Sequence, residues 1–171
     1  MHMLSYLCRM GFRISWKTIR VGLFGCDEIP VSLSHEEAVD YLYGLLETVN
    51  DRTDDIVALI CETDDRERFD KRLKALADKD GADLLLQKRK WRAGLLGALL
   101  DGIDSRPLWG LPEITEFWTT VGNKACGPCA FPENREDLYQ FFSEESYRSI
   151  LEKNRDFLKK ETAEIIRAEA D

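Results

Sequence analysis

The chain has 171 residues, of which 44% are hydrophobic and 33% are charged, proportions that are typical of a folded globular protein. Aromatic residues make up 10% of the chain, which argues against intrinsic disorder. The formal net charge of −8 argues against nucleic acid as a general partner, because phosphate binding depends on Lys and Arg. No apolar run approaches the ~18 residues that a transmembrane helix needs, so we expect no membrane span.

The N-terminal segment and the cysteines predict a cytoplasmic protein. The first residues, MHMLSYLCRMGFRIS, contain neither the clean apolar region nor the small-residue cleavage site of a signal peptide. The chain has five cysteines, an odd count that fits free thiols better than a disulfide framework. Free thiols are the usual state of cysteine in a reducing cytoplasm.

Helical periodicity dominates the first half of the chain, and several helix ends are marked by capping residues. Ser15 predicts the start of a short helix that Gly25 ends. In the next amphipathic stretch, 34-SHEEAVDYLYGLLETV-49, Ser34 and Glu37 have the spacing of a capping box. Both segments are therefore predicted to be helices with one apolar face.

Two more helices are predicted before residue 82. Thr53 precedes the apolar segment DDIVALIC and predicts a helix start there. Asp64 with Glu67 predicts the start of the following helix, which Gly81 ends.

The second half of the chain continues the helical pattern. The segment 82-ADLLLQKRKWRAGLLGALLDGI-103 predicts the longest central helix, Pro112 is expected to be the first residue of the next one, and Ser143 begins a long final helix. The only extended-looking segment, Ile29–Leu33, contains Pro30 and makes a poor strand. The sequence therefore predicts an all-α single domain over the whole chain, with about seven or eight helices in a bundle or a short α-solenoid-like array.

The tetrapeptide Cys126-Gly127-Pro128-Cys129 is identical to the active-site motif of thioredoxins. A redox dithiol needs an exposed thiol at a helix N-terminus, where the helix dipole stabilises the thiolate. Here a helical segment precedes the motif where thioredoxins have a strand, and Pro132 interrupts any helix that begins at the motif. We expect a turn that holds the two thiols close together. A thiol-disulfide redox protein, with Cys126 as nucleophile and Cys129 as resolving thiol, is the alternative function.

Other patterns for metal, cofactor or acid–base chemistry are incomplete. The two motif cysteines are half of a tetrahedral zinc site, and no second CxxC or HxxxH follows. His35 lies one residue after a predicted helix cap, where we expect a solvated side chain. We therefore predict no metal and no cofactor and favour a non-enzymatic protein. An enzyme whose carboxylates converge only in the fold is a further alternative.

The basic run 87-QKRKWR-92 lies within the predicted central helix. At about 100° per residue its four basic side chains spread over ~200°, so that Lys88 and Arg92 share a face while Lys90 points away. This spread argues against an anion-binding site. We expect these side chains to pair with neighbouring acids, such as those in 62-ETDDRERFD-70.

Two groups of acidic residues lie at predicted helix starts, where capping and the helix dipole explain them without any function. The same residues would also form an electronegative edge that recognises a basic protein partner. The residues of this predicted acidic edge are Asp51, Asp54, Asp55, Asp64, Asp65 and Glu67.

Two stretches, 12-FRISWKTIRVGL-23 and 88-KRKWRAGLL-96, together resemble an uncharacterised bacterial family, the domain of unknown function 2247. That family has an early Ser/Thr-Trp-Lys, a later Arg/Lys-Trp-Arg, and then a helix similar to 113-EITEFW-118. The resemblance implies a small acidic helical accessory protein and no catalytic residues. Some comparable families act as immunity proteins, which neutralise a toxin by binding it. The chain departs from the family pattern around residues 122–134, which include the two motif cysteines.

Overall fold

The computed structural model describes residues 2–47, 53–121 and 139–170. Within these ranges the backbone is helical apart from the connections and one isolated antiparallel bridge between Cys26 and Ile29. The all-α prediction is therefore confirmed.

Eight helices have both ends within the described residues, close to the predicted number. They are α1 (Met3–Arg9), α2 (Trp16–Phe24), α3 (His35–Leu46), α4 (Thr53–Ile60), α5 (Arg66–Lys79), α6 (Leu84–Gly102), α7 (Pro107–Thr120) and α8 (Glu144–Ala170). Residues 139–141 also have helical backbone.

The chain folds into two compact units, Met1–Trp91 and Arg92–Asp171. In the first unit α2 packs on α5, α3 packs on α4, and α1 lies against α3. In the second unit α7 packs on α8. Helix α6 begins in the first unit and ends in the second. The prediction of one domain over the whole chain stays a prediction.

Each unit has its own apolar core. Large side chains that are almost inaccessible to solvent in the first unit include Leu4, Leu7, Ile19, Leu42, Ile56, Leu59, Phe69, Leu73 and Trp91. Those in the second unit include Leu96, Leu111, Ile114, Trp118 and Ile165. Because burying one such side chain contributes about 1.5–3 kcal/mol, this packing stabilises helices that are too short to form alone.

The start of α2 agrees with the sequence prediction. The side chain of Ser15 accepts from the amide of Thr18, while the hydroxyl of Thr18 accepts from the amide of Ser15. The helix ends at Gly25, whose φ of 68° lies in the left-handed region that favours glycine.

The predicted capping box of α3 is only half formed. The hydroxyl of Ser34 accepts from the amide of Glu37 at 3.1 Å, as expected. The carboxylate of Glu37, however, accepts from the backbone amide of Met3 at the start of α1. The first amides of a helix have no helical acceptor and carry the positive end of its dipole, so they attract this carboxylate.

Two sequence predictions about helix starts were wrong. Asp65, not Asp64, caps α5: its backbone is extended and its carboxylate accepts from the amide of Arg68 at 3.1 Å. Pro107, not Pro112, is the first residue of α7, because the fixed φ of proline suits a first helical position and Arg106 before it is extended. The prediction that α6 is the longest of the central helices is confirmed: it has 19 residues, and the long final helix α8 has 27.

Candidate protein-binding surfaces

The described residues of the predicted acidic edge lie near the starts of α4 and α5. Asp51 lies outside the described residues. Asp54 and Asp55 are exposed in the first turn of α4, whereas Asp64 and Asp65 are exposed in the connection that leads to α5. Along the chain, the last five residues of α4 and the first residues of the following connection lie between these two groups.

Basic side chains lie among the acids near the start of α5. The carboxylate of Asp65 pairs with Arg68 at 3.1 Å, and Glu67 is exposed next to it. Arg72 donates two 2.7 Å hydrogen bonds to Glu62, and these bonds lower the pKa of that carboxyl group. This part of the surface therefore has mixed charge, and recognition of a basic partner by the acidic edge stays a prediction.

The basic residues of α6 have different partners from those expected. Lys88 forms a 2.9 Å ion pair with Asp27 in the first unit. Within the second unit, Arg92 lies 3.6 Å from Glu161. The expectation that these two side chains pair with acids is confirmed, but the acids lie outside 62–70 and come from distant parts of the sequence.

A buried polar network joins α2 to the first turns of α6. The hydroxyl of Thr18 donates to Oε1 of Gln87 at 2.6 Å, and Nζ of Lys90 donates to the same oxygen at 3.0 Å. Lys90 also donates to the carbonyl of Arg13 at 2.8 Å. All three side chains are at most 2% exposed, so these hydrogen bonds offset the cost of removing them from water.

Trp91 completes this connection. Its indole N–H donates to the carbonyl of Thr18 at 2.8 Å, and its ring lies where a Cβ on Gly22 would be. The stretches around Trp16 and Trp91 therefore meet in the core of the first unit. Their contacts hold α6 against α2.

A groove lies between α1 and α3 in the first unit, with a volume of about 440 Å³. This size falls in the range of ~300–1,000 Å³ that is usual for ligand sites. The α1–α3 groove is lined on one side by Ser5 and Cys8, and on the other by Glu37, Asp40 and Tyr41. Among its described lining residues there is no Lys or Arg.

Tyr41 and Cys8 face each other in this groove, with the tyrosine oxygen 3.9 Å from the sulfur. Burial raises the pKa of Tyr41, and the neighbouring thiol raises it further. The phenol therefore keeps its proton at neutral pH and can donate a hydrogen bond. Asp40 is exposed at the groove and adds a carboxylate to it.

The sequence profile of a family described as uncharacterized proteins conserved in bacteria (DUF2247) matches residues 6–162. The chain belongs to this family. No curated protein sequence and no solved structure matches it.

Other candidate sites in this DUF2247 chain are either outside the described residues or structural. Cys126 and Cys129 lie outside them, so the redox alternative stays a prediction. His35 is half-buried, packs edge-on against Phe69 at 4.5 Å, and places Nε2 3.2 Å from the carbonyl of Thr63. The expectation of a solvated His35 was wrong, because the α4–α5 connection covers it.

Two other features are absent from the described residues. No group of three His, Cys, Asp or Glu side chains there is placed to hold a metal ion. No helix in the same part of this DUF2247 chain is both long and apolar enough to cross a membrane.

Sequence reasoning did not identify the α1–α3 groove. Asp40 and Tyr41 lie in α3, whose amphipathic pattern is clear in the sequence, whereas Cys8 lies in the short helix α1. Nothing in the sequence indicates that α1 packs against α3. The one local signal is that Asp40 and Tyr41 lie three and four residues after Glu37, which places them near it on the helix surface.

Proposed function

We propose that this chain is a non-enzymatic protein-binding module that recognises a basic partner, and that the α1–α3 groove takes part in this recognition. The observation that carries the proposal is the composition of the groove: two carboxylates, from Glu37 and Asp40, and no Lys or Arg among its described lining residues. The net charge of −8 adds a long-range attraction for basic proteins.

The chemistry of the groove favours an arginine or lysine side chain of the partner. The carboxylate of Glu37 is already engaged by the amide of Met3, so Asp40 is the main candidate ligand for a cation. Tyr41 offers a ring beside it, on which the apolar stem or the guanidinium plane of an arginine packs favourably. Arginine combines both contacts better than lysine because its charge is planar and forked.

We further propose that the partner is a toxin-like protein that the chain neutralises in the cytoplasm, as immunity proteins do. Support comes from the acidic charge, the membership of a bacterial family, and the carboxylates of the α1–α3 groove. Binding alone would be sufficient for such a role.

Affinity capture of basic proteins by the tagged full-length chain in a bacterial host tests this function. We expect a basic protein to be retained in stoichiometric amount at low ionic strength and released as salt screens the charges. Asp40→Asn should weaken retention by about tenfold, since one desolvated charge pair contributes on the order of 1–3 kcal/mol.

Asp54→Asn is the matched control, because Asp54 is also an exposed aspartate and belongs to the predicted acidic edge. If Asp54→Asn weakens retention and Asp40→Asn does not, the acidic edge is the binding surface and the groove is not. If the wild-type chain retains no protein at low ionic strength, the binding function is wrong.

A further inference from the structure

We propose that the first turns of α7 form an apolar anchor for the partner, and that this anchor takes an apolar segment with basic residues at its rim. The inference rests on the protein-binding function proposed above and adds a second surface, in the other unit. Two large apolar side chains are exposed side by side there: Leu108 is 62% exposed and Trp109 is 55% exposed.

The exposure of Trp109 sets it apart from the other tryptophans. The chain has four tryptophans, and Trp16, Trp91 and Trp118 are only 7%, 0% and 2% exposed. A tryptophan and a leucine exposed together leave apolar area in water, which is typical of an interaction site. Tryptophan is also among the residues that most often dominate binding energy at protein interfaces.

The helix geometry makes these side chains one continuous surface. Pro112 is exposed one turn after Leu108, and at ~100° per residue it lies between Leu108 and Trp109 around the helix axis. We call these three residues the α7 apolar surface. Because proline has no amide hydrogen, the carbonyl of Leu108 also lacks its helical donor and offers an acceptor at this surface.

The residues beneath the α7 apolar surface hold its backbone in place. The hydroxyl of Tyr147 donates to the carbonyl of Asp104, just before the helix. Gly110 leaves the space that this phenol occupies, since a Cβ there would overlap it. Arg106 donates hydrogen bonds of 2.9 and 2.6 Å to the carboxylate of Asp104. A backbone fixed in this way loses little entropy on binding, which favours affinity.

The charges around the surface determine which occupant fits. Glu113 and Glu116 are exposed on the same side of α7, whereas the charge of Arg106 is engaged by Asp104. A second copy of the chain would bring the same glutamates together, and an anionic membrane would meet them with like charge. A protein segment with an apolar centre and a rim of Lys or Arg is complementary to this arrangement.

Fluorescence of Trp109 tests whether the surface is open in the free protein. We expect acrylamide to quench one component of the tryptophan emission readily, and Trp109→Phe to remove that component. If the wild-type chain has no readily quenched component, the surface is covered within the chain itself and the proposal is wrong.

Two synthetic amphipathic helical peptides then test the occupant. They share an apolar face of leucines, and one has a lysine rim while the other has a glutamate rim. We expect the lysine-rim peptide to shield Trp109 from acrylamide, and the glutamate-rim peptide to leave it open. Equal shielding by both peptides, or dimerisation of the free chain that Trp109→Ala abolishes, would overturn the choice of occupant.

Substitutions show which side chains contribute to the affinity for the peptide. Leu108→Ala and Trp109→Ala should each lower the affinity for the lysine-rim peptide by on the order of tenfold or more. Leu85→Ala is the matched control, because Leu85 is 64% exposed in the first turn of α6 and lies in the other unit. Equal losses from Leu85→Ala and Leu108→Ala would show that the peptide binds any exposed leucine and would refute the proposal.

The two proposals can fail separately. If a captured basic protein shows the same affinity for wild type and Trp109→Ala, the anchor is wrong while the binding function stands. If no protein is captured but the peptide still binds at Trp109, the surface exists and the proposed function is wrong.

Discussion

The indole N–H of Trp91 donates a 2.8 Å hydrogen bond to the carbonyl oxygen of Thr18, and this bond joins the two sequence stretches that carry the family resemblance. Next to it, Lys90 donates to the carbonyl of Arg13 and to the side chain of Gln87. The tryptophan and the lysine of the second stretch are therefore used to attach α6 to α2. Their role in the first unit is structural, so function has to be sought on the surface.

The buried network predicts a specific cost for losing one hydroxyl group. Thr18→Val keeps the shape of the side chain but removes the 2.6 Å bond to Gln87 and the acceptor for the amide of Ser15. We expect the free energy of unfolding to fall by about 1–3 kcal/mol, as measured by urea denaturation, because buried polar groups lose their partners.

Thr119→Val is the control for this substitution. The hydroxyl of Thr119 is exposed and donates only to the carbonyl of Glu116 in its own helix. We expect a change within about 0.5 kcal/mol. Equal effects of the two substitutions would mean that the network does not stabilise the first unit.

Replacing two helical glycines by alanine should change the stability of the protein in opposite directions. Gly22 lies in α2 against the ring of Trp91, so the added methyl group of Gly22→Ala overlaps that ring. Overpacking of this kind typically costs about 1–3 kcal/mol. Gly44 in α3 has open space around it, and Gly44→Ala should gain up to ~1 kcal/mol from helix propensity.

Thermal and urea unfolding of both glycine variants measure these changes. The expected order of stability is Gly44→Ala, then wild type, then Gly22→Ala. A stable Gly22→Ala variant with unchanged Trp91 fluorescence would contradict the close packing of α2 against α6.

The helices could be predicted from the sequence where their signals are local. Ser15 and Ser34 each cap a helix through a hydrogen bond to an amide three residues later, and that spacing is visible in the sequence. Glu37 was misassigned because its carboxylate engages Met3, which is distant in sequence. Pro112 was misassigned because Pro107 satisfies the same rule five residues earlier.

The candidate surfaces could be predicted less well, because they too depend on contacts between residues that are distant in sequence. The α1–α3 groove needs Cys8 and Tyr41 to meet, and periodicity within one helix does not reveal which helices pack together. From the sequence alone, the hydrophobic side chains of Leu108 and Trp109 would be expected in the core. Only the fold shows that the phenol of Tyr147 packs at Gly110, on the buried side of α7, while Trp109 is exposed.

The contact between Tyr147 and Gly110 predicts a non-additive pair of substitutions. Gly110→Ala should cost the second unit about 1–3 kcal/mol, because the methyl group overlaps the phenol. In a Tyr147→Ala background the phenol is gone, so the same glycine substitution should cost less; the remaining cost comes from the backbone carbonyl of Asp104, 2.8 Å from the added methyl group. Urea unfolding of the two single variants and the double variant measures the coupling, and additive effects would show that the two residues do not touch.

The last prediction concerns pH and the pair formed by Asp104 and Arg106. Hydrogen bonds from the Arg106 side chain, and then from its backbone amide, lower the pKa of Asp104 from its ordinary value of 3.8 to about 2. The folded state therefore favours the ionised carboxylate. Its contribution to stability is complete above the unfolded pKa and is lost as the pH falls through the folded one.

Measuring the free energy of unfolding from about pH 2 to 6 tests this linkage. Wild type should be more stable than Asp104→Asn at the upper end of this range, and the difference should shrink as the pH approaches 2. The Asp104 side chain is partly exposed to solvent, so we expect the difference to be modest and to fall with added salt. In an Arg106→Gln background the pH dependence of this difference should flatten, and an unchanged dependence would mean that Arg106 does not lower the pKa of Asp104.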